Sequence, residues 1–216
     1  MVKKATPSIS SRKSPSQSRS TQLVSDVLEA AIQILAQEGA QAFTTARIAE
    51  KAGVSVGSLY QYFPNKAAIL FRLQTDEWRQ NSTRLRGILE DRSSPPLQRL
   101  RLFVHAFVQS ECEEAGLRQA LGDAVPGYRD EPKESPRVEG TKTVQDFLSE
   151  ALPSVSPGRR ALAGELVMMT LSTVGKELSE RRFSLDGVDR YADALADMLS
   201  GYLEQLARHD PPPPSP

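Results

Sequence analysis

Thr44–Lys66 reads TTARIAEKAGVSVGSLYQYFPNK. Two short helical stretches flank a sharp turn. The first runs from a Thr44 or Thr45 cap to Ala52. The second starts at a Ser55 cap, because hydroxyl side chains accept from the unpaired N–H groups of a first helical turn. Gly53 falls where the chain reverses, a place for a residue tolerant of positive φ. Ile48, Ala52, Val54 and Leu59 are spaced to fill a shared core, and the small Ala49 lies where the two helices cross most closely. Val56, Gly57, Ser58, Gln61 and the tips of Tyr60 and Tyr62 are left to face outward. A short, rigidly held helix of this kind fits the major groove of B-DNA and presents its N-terminal residues to base edges. Gly57 and Ser58 let its backbone come close. Lys66 follows Asn65 and offers an ammonium and a helix N-terminus to a phosphate. Thr45 offers a hydroxyl to another. The bland alternatives are an ordinary helical hairpin, partly buried aromatics at Tyr60 and Tyr62, and a merely solvated Lys66.

Upstream, Val24, Val27, Leu28, Ala31 and Leu35 make one helical stripe, closed by Gly39 as a C′ residue. Residues 1–20 are rich in Ser, Pro, Lys and Arg and hold no acid. Too few apolar residues are present there for a core, which predicts a disordered basic arm, with a transit peptide as the competing reading. Net charge is zero over 216 residues but uneven. Residues 1–66 carry eight basic and four acidic side chains, +4, and the remainder carries −4. The front of the chain is therefore the part suited to an anion.

Downstream the apolar period stays helical. One stripe runs Phe71, Trp78, Leu85 and Leu89. Another runs Leu97, Leu100, Val104, Phe107 and Val108 after Pro95 and Pro96. A short helix is expected over 117–125, a mobile loop over 126–136 and a helix over about 137–152 that ends before Pro153. Ser156-Pro157 starts another, reaching about Lys176. The proline-rich 210–216 cannot continue a helix and reads as a frayed tail. No run is long and apolar enough for a membrane span. The single Cys112 excludes an internal disulfide and points to a cytoplasmic address.

The segment from about Val24 to Leu70, with EGAQAF, TTARIAEKAGVS and GSLYQYFPNK at fixed spacing, resembles the DNA-binding domain of the TetR (tetracycline-repressor-like) family. The resemblance implies that Thr45, Ser55, Val56, Gly57, Ser58, Tyr60, Tyr62 and Lys66 stand where the family touches DNA, and Arg47 and Gln61 join them as candidates. Tyr62 departs from the histidine that members often place there, and Ala46 from a base-reading arginine found in some. Both departures bear on the operator sequence.

The fold class expected is all-α. It comprises an N-terminal three-helix helix-turn-helix domain over 21–66 and a C-terminal antiparallel helical domain for ligand binding and dimerisation over 67–209. The family architecture implies an internal pocket in the second domain. Its candidate lining is Trp78, Phe103, Phe107, Met168 and Met169, with His105 as a polar contact, although plain core packing is the ordinary reading of each. The effector implied is a partly apolar small molecule. His105 and Cys112 lie about 10 Å apart along one helix, too far for a nucleophile–base pair. Two histidines and one cysteine make a zinc site implausible, so no metal, cofactor or enzymatic activity is expected. On the last helix two apolar strips alternate. Leu195, Leu199, Tyr202 and Leu206, with Met198 from the second strip, are the candidates for a homodimer interface. A dimer would set two recognition helices one turn of DNA apart on a palindromic operator. The function expected is therefore a ligand-responsive repressor. The competing readings are a regulator or activator answering to a protein partner, and an enzyme using the pocket, for which no acid–base pair is evident.

Overall fold

The computed structural model describes residues 18–124, 134–181 and 185–209. The basic arm to residue 17, residues 126–133 of the expected loop and the 210–216 tail lie outside them. The described residues are helical with no strand, as the 3.6-residue apolar period requires.

Helix α1 (Ser18–Gln37) ends where Gly39 turns to φ +80°. The Ile34 carbonyl there accepts both the Glu38 N–H at 2.8 Å and the Gly39 N–H at 3.0 Å, which closes the helix end. Helices α2 (Thr45–Lys51) and α3 (Val56–Tyr62) follow, then α4 (Lys66–Glu90). Helix α5 (Pro96–Ala124) is unbroken and takes in residues 117–124 of the separate short helix expected over 117–125, whose last residue lies outside the described ones. Gly116 alone does not stop it, and Leu117 and Leu121 continue the face begun by Phe103, Phe107 and Ser110. Helix α6 (Glu134–Ala151) begins before the expected 137, because Pro136 fits a first turn, where its missing N–H has no helical partner to lose. Helices α7 (Pro157–Arg181) and α8 (Leu185–His209) complete the order.

Two cores form. The first gathers Val27, Ala31 and Ile34 of α1, Phe43, Ile48 and Ala49, Leu59 and Phe63 of the α3 region, Ala67–Leu70 and Leu73 of α4, and Leu121 of α5. Its compact unit therefore runs through Glu77 and takes in residues from Gly116, so the boundary expected at 66/67 is moved. Leu70, Leu73 and Leu121 bury their apolar surface here, which is why the helix that opens at Lys66 does not open a new unit. The second core holds Leu100, Phe103, Val104 and Val108 of α5, Phe147 and Leu148 of α6, Val167 and Leu171 of α7, and Leu195, Leu199 and Leu203 of α8. One cation is sunk in it. Arg99 is 1% exposed, donates to the Leu89 carbonyl and to Glu150, and lies 5.4 Å from the centre of the Phe147 ring. Paired in this way, a buried guanidinium is tolerable.

Candidate nucleic-acid interface

Thr44 caps α2. Its Oγ1 accepts the Arg47 N–H at 3.2 Å while Ile48 and Ala49 turn inward. The chain then reverses through Gly53 at φ +67°, and the Val54 N–H closes on the Ala49 carbonyl at 3.0 Å. Ser55 caps α3, accepting the Ser58 N–H at 3.0 Å, and the two serine hydroxyls lie 2.8 Å apart. Leu59 anchors α3 in the first core. Asn65 caps α4 by accepting the Ala68 N–H at 2.9 Å, which leaves Lys66 exposed on the first turn. Each short helix is thus held by a cap at one end and a buried leucine or isoleucine in its middle.

The exposed face of α3 carries Val56, Gly57, Tyr60 and Gln61. Val56 is 40% exposed, although apolar. The Tyr60 hydroxyl lies 3.1 Å from the Thr45 hydroxyl, so α2 and α3 are tied on the outer surface as well as within the core. Three sequence candidates stand differently from expectation. Tyr62 is only 9% exposed and packs in the first core, because it follows Leu59 by three residues and shares its face. Ser55 spends its oxygen on the cap. Arg47 is not aimed outward: its guanidinium makes two bonds to Glu38, at 3.0 and 3.1 Å, and one to Glu50 at 2.9 Å. Those bonds raise the Arg47 pKa further, and the Arg47 hydrogen bond holds the Glu38 carboxyl below its ordinary value. Lys51 joins from 3.8 Å. The Glu38 anchor went unnoticed in the sequence because its partner lies across the turn.

The six residues expected to meet an effector are scattered. Phe103 and Phe107 are core, their rings 6.2 Å apart. Met168 packs against that core, but Met169 is 61% exposed. His105 is a surface residue paired with Asp193 of α8 at 3.0 Å, beside Arg101, which binds Asp193 and Asp197, so its expected place inside a pocket is corrected. Trp78 donates through Nε1 to the buried Glu114 at 2.9 Å, and Asn81 donates to the same carboxylate at 2.6 Å. Glu114 sits in the apolar stripe Phe103, Phe107, Ser110, Leu117 and Leu121, and an acid at that period was the signal available. A cleft of 680 Å³ lies between the end of α4 and α6 and is lined by Leu89, Arg92, Phe147 and Glu150 among others. None of the six lines it.

The dimer candidates also divide. Leu195 and Leu199 are buried in the subunit's own core, Leu199 to 2% exposure, so they have no surface left for a partner. Tyr202 and Leu206 pack partly against the same core, and Met198 is 55% exposed. Tyr191 on α8 and Leu162 and Leu166 on α7 are exposed too. Among the described residues no group of three His, Cys, Asp or Glu could hold a metal, and no helix is long and apolar enough to cross a membrane.

Residues 27–73 match the family described as bacterial regulatory proteins, tetR family. Residues 95–206 match the tetracyclin repressor-like C-terminal domain. Among curated proteins, the nucleoid occlusion factor SlmA of Vibrio campbellii is 33% identical over 105 residues, covering 48% of this chain and 53% of that one. SlmA of Alteromonas mediterranea is 32% identical over the same extent, so the chain spans about half the length of the curated relatives it matches. A TetR-family regulator of Pectobacterium atrosepticum has a similar fold, with TM-score 0.65 and 15% identity over 93% of this chain and 100% of that one. A TetR of Acinetobacter baumannii in complex with minocycline does so at 0.56 and 23%, over 85% and 97%. With both its DNA-binding and its C-terminal segment matched, the chain belongs to the TetR family of DNA-binding transcriptional regulators.

Proposed function

We propose that this regulator is a homodimeric repressor that grips a palindromic operator through α3 and releases it when a small, partly apolar effector binds within residues 78–209. The observation that carries the DNA half is the exposed face of α3. Val56, Gly57, Tyr60 and Gln61 form a surface with no partner in the subunit core, on a helix capped by Ser55 and anchored by the buried Leu59. Thr45, Tyr60 and Lys66 supply hydroxyls and an ammonium for phosphates, which fix register, while the exposed face of α3 reads sequence. Homodimerisation draws support from the exposed apolar residues Leu162, Leu166 and Met169 on α7 and Tyr191 and Met198 on α8. Large apolar side chains left in solvent suit an association surface. Minocycline on a similar TetR supports the effector. It must prefer the state that does not bind DNA, because a ligand indifferent to both states shifts nothing. A shift of α4, which opens at Lys66, is the proposed route from effector to operator.

The resemblance to SlmA, named a nucleoid occlusion factor, favours a second reading, in which the DNA-bound chain serves nucleoid occlusion instead of answering to an effector. Fluorescence anisotropy on duplexes flanking the gene and on duplexes selected from a random library tests the first. Two subunits per site and a steep loss of affinity with salt are expected. Binding that is weak and equal for every duplex would sink it.

A further inference from the structure

We infer that α3 reads A·T base pairs, with Val56 against a thymine methyl and Gln61 on an adenine edge. This rests on the operator-binding reading above. The major-groove face of each base pair has its own partners: Arg or Lys for the guanine O6 and N7, Asp or Glu for the cytosine N4 group, Asn or Gln for adenine, and apolar groups for the thymine methyl. Helix α3, VGSLYQY, contains no Arg, Lys, Asp or Glu. The neighbouring charges on α2 are engaged. Arg47 is bound by Glu38 and Glu50, and Lys51 by Glu38 and Gln37. Ala46 has no reach. Lys66 lies on the next helix, beyond the far end of α3.

What the exposed face offers is therefore short. Val56 holds an isopropyl group in solvent on the first turn of α3. Gly57 adds no bulk. The Ser58 hydroxyl is taken up with Ser55, 2.8 Å away. The Gln61 carboxamide is exposed and has no hydrogen bond within the described residues, so its oxygen is available to accept from adenine N6 and its nitrogen to donate to N7. The Tyr60 hydroxyl on the same face is tied to Thr45 at 3.1 Å. An apolar group and a carboxamide are the pair that thymine and adenine call for, and the charged side chains that guanine and cytosine call for are missing from α3.

The test is selection of random duplexes by the full chain, followed by titration of the enriched duplex. Replacing one thymine by deoxyuridine, which removes only the methyl, is expected to weaken wild type about fourfold and Val56→Ser not at all. Gln61→Ala is expected to erase an adenine preference of about tenfold at another position. Lys66→Ala should lower the salt dependence by roughly one counterion and leave base preference unchanged. Since Val56, Gln61 and Lys66 are exposed, matched thermal unfolding confirms that the variants fold. An enriched half-site whose G·C preference is altered by Gln61→Ala or Val56→Ser overturns the A·T assignment alone. So does indifference of wild type to uracil at every thymine. A library that enriches no sequence overturns the operator reading and this one with it.

Discussion

Two glycines four residues apart have opposite tasks. Gly53 stands at φ +67°, where any Cβ strains the backbone, so Gly53→Ala is expected to cost roughly 1–2 kcal/mol in chemical denaturation. At Gly57 a Cβ would meet nothing nearer than the Ser55 Oγ at 3.8 Å, and the residue is helical. Gly57→Ala should therefore raise stability by about 0.5 kcal/mol and yet weaken operator binding, because the helix can no longer lie as close to the bases. Unfolding and anisotropy on the same sample check both signs. Glu38 supplies a pH signature. Arg47 holds its folded-state pKa below the ordinary 4.5, so the stabilisation is complete above that value and is lost as pH falls through the folded pKa. The difference in Tm between wild type and Glu38→Gln is expected at pH 7 and should close below pH 4.5.

Between elements, α4 and α5 are clamped by one buried acid. Glu114→Ala leaves the Trp78 indole N–H and the Asn81 amide without their acceptor, at a cost of about 1–3 kcal/mol each where burial is complete. Glu114→Gln, which keeps one carbonyl oxygen, should recover part of the loss, and urea unfolding separates the two variants. Helix α7 approaches α5 closely at Gly175, where a Cβ would come within 2.9 Å of Glu111 Cγ, and α6 at Gly164, where it would run into the Gln145 amide. At Gly175 the stem of Glu111 would have to shift, whereas at Gly164 the flexible Gln145 amide can swing aside.

For the whole molecule, Leu162, Leu166 and Met169 of α7 and Met198 of α8 are large apolar side chains left exposed. Met169→Asp or Met198→Asp should leave the subunit folded, since both side chains are exposed, and convert a dimer to a monomer in sedimentation. Operator affinity should fall with it, because two linked recognition helices bind as one unit. Leu199→Asp is the control: buried in the subunit core, it should unfold the protein instead of dissociating it.

The sequence alone determined what depends on near neighbours. The caps, the turn at Gly53 and the end of α1 at Gly39 are local events, decided by side chains within a few residues; Ser55, Gly53 and Gly39 were legible, and the α2 cap was narrowed to Thr44 or Thr45. So was the all-helical class, from a period that repeats along the chain. Only the tertiary structure decided which of two strips on α8 faces inward. Leu195 and Leu199 had the same claim to either side until the second core formed around them. It also decided that Arg47 is occupied, because Glu38 lies nine residues back across a turn, and that Glu114 is buried, because Trp78 and Asn81 come from a helix more than thirty residues away. The effector surface stayed illegible for the same reason. A pocket is defined by residues that only folding brings together, whereas a helix-turn-helix is written in one continuous stretch.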